Sequence, residues 1–202
     1  ALPVRQFLRD GTGWRERLVG VQDGELAFGL GTATEFALLE PYLSCTKDGD
    51  LVQSCAPANG IMTQLAERIA RQGGGALVID YGSDSALGDT LQALRAHAKC
   101  SPLDTPGQAD LTAHVDFASL AHAAASAGAQ PSTTIPQGAF LDNLGISVRA
   151  AQLAQHMDAA QRETMASAYH RLTHPSEMGN LFKVLGVTAP GTPPIPGTQA
   201  RD

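Results

Sequence analysis

With 202 residues, 43% of them hydrophobic and 17% charged, the chain is long enough to fold as one ordinary domain that buries most of its apolar surface. A net charge of −6 lacks the dense Lys and Arg of a sequence-independent nucleic-acid binder, and no run nears the roughly 18–20 apolar residues that span a bilayer. Cys45, Cys55 and Cys100 are an odd set without C-x-x-C spacing, which points to a reducing compartment rather than a disulfide framework or a zinc site.

The opening ALPVRQFLRD lacks the basic start, long apolar centre and cleavage site of a signal peptide. The chain does not begin with Met, so its start reads as a processed or truncated end. Residues 3 to 29 read as a β-ribbon. Val4, Phe7 and Leu8 lead into the turn signal Asp10-Gly11-Thr12-Gly13, then come Trp14, Leu18, Val19 and Val21, and Asp23-Gly24 turns the chain into Glu25-Leu26-Ala27-Phe28. Gly29 to Asp50 is expected to be mostly irregular, with Pro41 and Asp48-Gly49 as breakers. A helix is expected from Pro57 to about Gln72, with Ile61, Met62, Leu65, Ala66 and Ile69 on one apolar face. Gly73-Gly74-Gly75 then feeds the buried-strand pattern Ala76-Leu77-Val78-Ile79-Asp80-Tyr81. Helix, short turn and apolar strand follow the grammar of a parallel sheet.

Thr90 to His97 is read as a strand, Pro102 to Gly107 as a loop, Asp110 to Phe117 as an alternating strand and Phe117 to Ala127 as an Ala-rich helix. Pro131 to Pro136 is a short strand candidate. Gln137 to Leu144, Ser147 to Met157 and Ala160 to Leu172 read as helices, and Leu181 to Leu185 as a last strand. The fold class is therefore α/β, with a folded part over residues 1–188. The Pro-rich tail, residues 189–202, reads as disordered or extended.

Three groups could carry chemistry. Asp80, Tyr81 and Gly82 stand where an apolar strand emerges, the place where open α/β sheets bind ligands. Asp80 brings a carboxylate there, and Gly82 would let backbone approach a ligand; capping and turning the chain are the alternative duties. On a strand, Asp110, Thr112, His114 and Asp116 share one face, but Asp110 and Asp116 would lie ~20 Å apart at about 3.4 Å per residue. They cannot grip one small group, and Asp116, standing where the Ala-rich helix begins, is read first as that helix's N-cap. Asp89, Thr90, Arg95 and His97 form the third group, in which Arg95 and His97 share a face if the segment is a strand. A lone Gly29-Leu30-Gly31 has neither a preceding buried strand nor a third glycine opening a helix, so it makes no phosphate loop. His97, His114 and nearby aspartates lack the tight spacing of metal ligands.

The blocks ALPVRQF, GWRERLVG, GGALVIDYG, GDTLQALRAH, PGQADLTAHVDFASL, QGAFLDNLGI and MGNLFKVLG together resemble the carboxyl-terminal portion of MidA-like proteins. That family comprises class I S-adenosylmethionine-dependent methyltransferases, whose mitochondrial members act in respiratory complex I assembly. The resemblance implies the carboxyl-terminal half of a class I methyltransferase Rossmann-like sheet, with an added β-ribbon and helical segments. The glycine-rich loop and ribose-binding acid of the family would precede Ala1, so this chain alone is expected to be inactive, with cofactor-binding residues unknown. The implied methyl donor is S-adenosyl-L-methionine, and the implied acceptor is an arginine of a protein such as a complex I subunit. The implied location is the bacterial cytoplasm, or the mitochondrial matrix if the chain is eukaryotic. Neither nucleic acid nor membrane is expected as a partner, and a homodimer is left open. In that setting Asp80, with Asp110 second, would orient a guanidinium, and His114 would accept or relay the proton lost on methylation. Tyr81, Gly82, Thr90, Arg95, His97, Thr112 and Asp116 would line the substrate side. A partner-docking module built on the ribbon around Trp14 and Phe28 is the rival reading, and a metal-dependent hydrolase the third.

Overall fold

The structure, a computed structural model, describes residues 3–199. The first two residues of the expected folded part and the last three of the expected tail lie outside the described residues. In chain order the strands are β1 (Arg5–Asp10), β2 (Gly13–Gln22), β3 (Glu25–Thr34), β4 (Leu51–Ser54), β5 (Gly75–Ser83), β6 (Gln92–Arg95), β7 (Ala98–Cys100), β8 (Asp110–Thr112), β9 (Val115–Asp116), β10 (Gln130–Pro131), β11 (Ile135–Pro136) and β12 (Phe182–Thr188). The helices are α1 (Ala56–Gln72), α2 (Phe117–Ser126), α3 (Gln137–Asn143), α4 (Ile146–Ala154), α5 (Ala159–Thr173) and α6 (Met178–Leu181), with a 3-10 helix over Ala37–Ser44. No helix among the described residues is long and apolar enough to cross a membrane.

The chain divides into two compact units. The first holds the chain up to Ala58 and Ser85–His114. Here the expected ribbon is an antiparallel sheet of order β3-β2-β1-β4. Its turns fall where the Gly signals stand, with Gly11, Asp23 and Gly24 all at positive φ. The sequence reading of Gly29 to Asp50 is corrected at its start, because β3 continues to Thr34. Register explains the two faces of this sheet. Phe7 pairs with Val52 and with Glu16, while Gln6 pairs with Gln53 and with Arg17, and side chains alternate from face to face. Phe7, Trp14 and Val52 join Leu39 and Ala86 in a buried apolar cluster. Gln6, Gln53 and Arg17 therefore line the opposite face. Beyond Arg17 only β2 and β3 continue, as a two-stranded arm whose Val19, Val21, Leu26 and Leu30 are exposed. A second, smaller sheet runs β7-β6-β8, antiparallel throughout.

The second unit holds Asn59–Asp84 and the chain from Val115 onward. Its sheet runs β10-β12-β5-β9, with β11 also paired to β12. The fold is α/β, as the sequence predicts, but the pairing is mixed rather than parallel. β5 lies antiparallel to β12 over its length, and the parallel grammar survives only in the short β5–β9 pairing at Gly82 and Ser83. From Gly75 to Asp80 the other margin of β5 has no partner strand among the described residues. β12 is the buried centre, with Val184, Leu185 and Val187 fully enclosed. Its strand begins at Phe182, because Met178–Leu181 still coils as α6.

β5 is less buried than its continuous apolar run predicts. Leu77 and Ile79 are 42% and 44% exposed, on a face that the described residues leave uncovered. The same correction applies to α1. Met62, Ala66 and Ile69 make its buried stripe at i, i+4 and i+7, while Ile61 and Leu65 on its flank stay exposed. α5 opens with a capping box, Asp158 and Gln161 each bonding the other's backbone N–H. The expected disorder of the tail does not extend to residues 189–199. Thr198 is 2% exposed, and the Asn143 amide donates to the carbonyls of Gly197 and Gln199 at 3.0 and 2.9 Å. Proline removes helix and strand from this segment but not its packing.

Candidate functional site

The ten predicted site residues fall in both units. Asp80, Tyr81, Gly82 and Asp116 belong to the unit centred on β12; Thr90, Arg95, His97, Asp110, Thr112 and His114 belong to the unit of the ribbon.

β5 runs on to Ser83, so the strand does not emerge at Asp80 as its sequence predicts: Asp80 is half-buried within it and stands opposite Lys183 of β12. Its Oδ1 accepts the backbone N–H of Tyr81 at 2.8 Å. Tyr81 packs edge-on against Phe182 of β12, ring centroids 5.6 Å apart. The expectation for Gly82 needs correction. A Cβ there would lie 2.2 Å from the Val115 carbonyl oxygen and 2.9 Å from the Phe117 ring, so the close approach that Gly82 permits is taken up by the chain itself, where β9 joins β5. Asp116 takes the capping role, its Oδ1 accepting the Ser119 N–H at 3.1 Å to start α2.

In the other unit two expectations are overturned. Thr90 to His97 is not one strand: β6 ends at Arg95, and Ala96 and His97 form a two-residue hairpin turn with φ of 50° and 64°. Both central residues at positive φ are the mark of the tight hairpin turn. Arg95 therefore lies in a strand and His97 in the turn, and they share no strand face. Asp110 to Phe117 is likewise broken. Asp110–Thr112 pairs with β6, whereas Val115–Asp116 pairs with β5, so the continuous alternation spans two sheets. Asp110 is exposed and Thr112 half-buried. Among the described residues, no group of three or more His, Cys, Asp and Glu is arranged to hold a metal ion.

What the sequence did not show is a hydrogen-bonded relay that ends at Thr90 and His114. Arg17 lies 3.8 Å over the Phe28 ring. It donates to Asp89 Oδ2 at 2.5 Å and to Gln6 Oε1 at 3.2 Å. Gln6 Nε2 donates to Asp89 Oδ1 and to Gln53 Oε1, both at 2.9 Å. Gln53 Nε2 donates to Thr90 Oγ1 at 2.5 Å, and the backbone N–H of His114 donates to the same oxygen at 2.9 Å. Gln6 and Gln53 are only 5% and 7% exposed, and buried amides of this kind are held only where they are satisfied. Burial alone would raise the Asp89 carboxyl, but the hydrogen bonds from Arg17 and Gln6 and the Arg17 charge outweigh it and hold the group below its usual value. The signal that could have found the relay was polar residues at inward strand positions: Gln6 beside Phe7, and Gln53 beside Val52.

A shallow depression lined by Thr164, Ser167, Ala168, Arg171, Leu172 and Met178 contains none of the predicted residues. The paired positive-φ glycines Gly73 and Gly74 sit between α1 and the start of β5, at the end of the strand opposite its exit.

A family described as "Putative S-adenosyl-L-methionine-dependent methyltransferase" matches residues 1–135. The mitochondrial protein arginine methyltransferase NDUFAF7 of Danio rerio is 37% identical over 194 residues, covering 93% of this chain and 44% of its own. Its Homo sapiens counterpart is 36% identical over 185 residues, covering 90% and 41%. A Burkholderia thailandensis protein solved bound to S-adenosyl-homocysteine superposes with a TM-score of 0.77 at 28% identity, over 99% of this chain and 52% of that one. The chain thus spans less than half the length of these curated relatives and about half of the solved one.

Proposed function

This chain belongs to the S-adenosyl-L-methionine-dependent methyltransferase family, and from that premise we propose that it forms the acceptor side of an enzyme that methylates a protein arginine. The single observation that carries the reading is its 37% identity, over 93% of its length, to a protein arginine methyltransferase. The donor, S-adenosyl-L-methionine, would be cradled by the portion that the longer relatives have beyond this match.

Methyl transfer from a sulfonium to a guanidinium nitrogen is an in-line displacement, so the protein's contribution is positioning and electrostatics. Asp80, in the carboxyl-terminal half of β5 with one carboxylate oxygen uncommitted to Tyr81, is suited to fix a guanidinium. His114, whose backbone is anchored to Thr90, is suited to take up the departing proton. Asp110, exposed on β8, is the second carboxylate, and Arg95 and His97 on the β6–β7 hairpin would contact the protein substrate. A complex I subunit is the substrate that the family resemblance suggests. The mitochondrial relatives favour the matrix for a eukaryotic chain, and the cytoplasm is the counterpart for a bacterial one. Self-association into a homodimer fits either setting.

The test uses full-length protein, S-adenosyl-L-methionine with a labelled methyl group and complex I subunits, with the modified residue identified by mass spectrometry. Methylarginine is the expected product, and Asp80→Asn is expected to slow its formation about 100-fold or more. Label on another residue type, or none, would refute the arginine reading; full activity in Asp80→Asn would refute the orienting role alone.

A non-catalytic docking role has one observation in its favour. The arm of β2 and β3 exposes Val19, Val21, Leu26 and Leu30, Val21 to 73%, and two-stranded hairpins of this kind are marginal unless something covers them. Binding of a complex I subunit to this chain without methyl donor would favour that reading.

A further inference from the structure

The relay between Arg17 and His114 has a fixed direction, and direction gives it an output. Guanidinium groups and backbone N–H groups only donate. Arg17 donates to Gln6 Oε1, so the Gln6 amide cannot be flipped, and its two protons go to Gln53 and Asp89. The Thr90 N–H donates to Gln53 Oε1 at 3.3 Å, which fixes the second amide in turn and sends its Nε2 proton to Thr90 Oγ1. His114 adds its own N–H to that oxygen. A threonine hydroxyl has two acceptor sites and one proton. Both sites are filled from inside the protein, so the proton must leave the relay. Among the described residues it has no acceptor, and Thr90 is half-buried rather than sealed.

We propose that the Thr90 hydroxyl donates its proton to a carbonyl or carboxylate oxygen of a bound substrate, with Gln6 and Gln53 as positioning residues that forbid it any other orientation. Solvent takes this proton in the free protein, and the substrate oxygen replaces that water. The inference rests on the methyltransferase reading for its two sources of such an oxygen: the backbone carbonyl of the protein substrate and the carboxylate of the methyl donor.

Calorimetric titration of full-length protein with S-adenosyl-homocysteine and with the blocked peptide acetyl-Gly-Arg-Gly-amide separates the two sources. Thr90→Val is expected to weaken one of these ligands about five- to tenfold and leave the other unchanged, with Thr90→Ser restoring the loss. Weakened S-adenosyl-homocysteine identifies the carboxylate, and weakened peptide the carbonyl. Gln53→Glu supplies a readout that a merely structural role would not move. Its carboxylate is an acceptor, so the hydroxyl turns inward, and this variant should reproduce the Thr90→Val loss with Thr90 intact. Amide exchange checks the relay independently of any ligand: the His114 N–H should be protected in wild type and Thr90→Ser, and exposed in Thr90→Val. Equal affinities in wild type and Thr90→Val, no binding of either ligand to wild type, wild-type affinity in Gln53→Glu, or an unprotected His114 N–H in wild type would each overturn the proposal. The absence of methylarginine in the assay above, with these differences intact, would overturn the arginine reading instead.

Discussion

In the unit centred on β12, the fully enclosed side chains of the central strand are Val184, Leu185 and Val187; in the ribbon unit, one face of the sheet encloses Gln6 and Gln53 instead. The first arrangement is held by dispersion and the removal of apolar surface from water, which are non-directional and tolerate small shifts. The second is held by hydrogen bonds whose donors and acceptors must match one by one. The ribbon unit still has an apolar cluster around Phe7 and Trp14, so burying an amide network on the opposite face is not forced by a shortage of core. Polar residues enclosed at such a desolvation penalty fix geometry, and the relay fixes Thr90 and the backbone of His114, two of the residues picked out for substrate chemistry.

The sharpest way to break the contrast is to truncate each centre. Leu185→Ala should cost about 2–5 kcal/mol, read as a shift in the denaturant midpoint. Gln53→Leu should cost about 1–3 kcal/mol, because it strands the Thr90 N–H and one Gln6 proton without acceptors. That loss should come with faster exchange at His114, whereas Leu185→Ala should leave the protection of His114 unchanged relative to its neighbours. A neutral Gln53→Leu would mean that the amides are replaceable filler. Replacing Ala96-His97 by Asn-Gly should stabilise the β6–β7 hairpin by about 0.5–1 kcal/mol, since both positions lie at positive φ, and it should raise the thermal midpoint. The smallest effect is that of acid. Asp89 is held below its usual range, so its contribution is complete above the unfolded value and disappears as pH falls through the folded one. Because the Asp89 side chain is 46% exposed, this should appear as acid-promoted exchange around Gln6 and not as global unfolding.

Local chemistry was legible and pairing was not. Asp10-Gly11 and Asp23-Gly24 announced the ribbon because the turn type demands those residues. The Ala-rich helix and its Asp116 cap, and the helices α1 and α5, follow from composition and periodicity over a few residues. The β6–β7 hairpin escaped because Ala96 and His97 are poor advertisements for the conformation they adopt. The break after Thr112 escaped because alternation continues unbroken while the strand partner changes from β6 to β5. Gln6 and Gln53 lie 47 residues apart, and only the register of β1 with β4 brings them together. The tail escaped for a related reason: proline excludes regular structure, but Asn143, far away in sequence, supplies the hydrogen bonds that seat it.

The unpartnered margin of β5 bears on how the chain must be handled. From Gly75 to Asp80 it has no partner strand among the described residues and is flanked by uncovered Leu77 and Ile79, and such a margin recruits any extended polypeptide that can match it. Concentrated stocks of this chain should accordingly form edge-joined, thioflavin-positive assemblies, and a lysine placed at Ile79 should act as a gatekeeper that keeps the preparation dispersed.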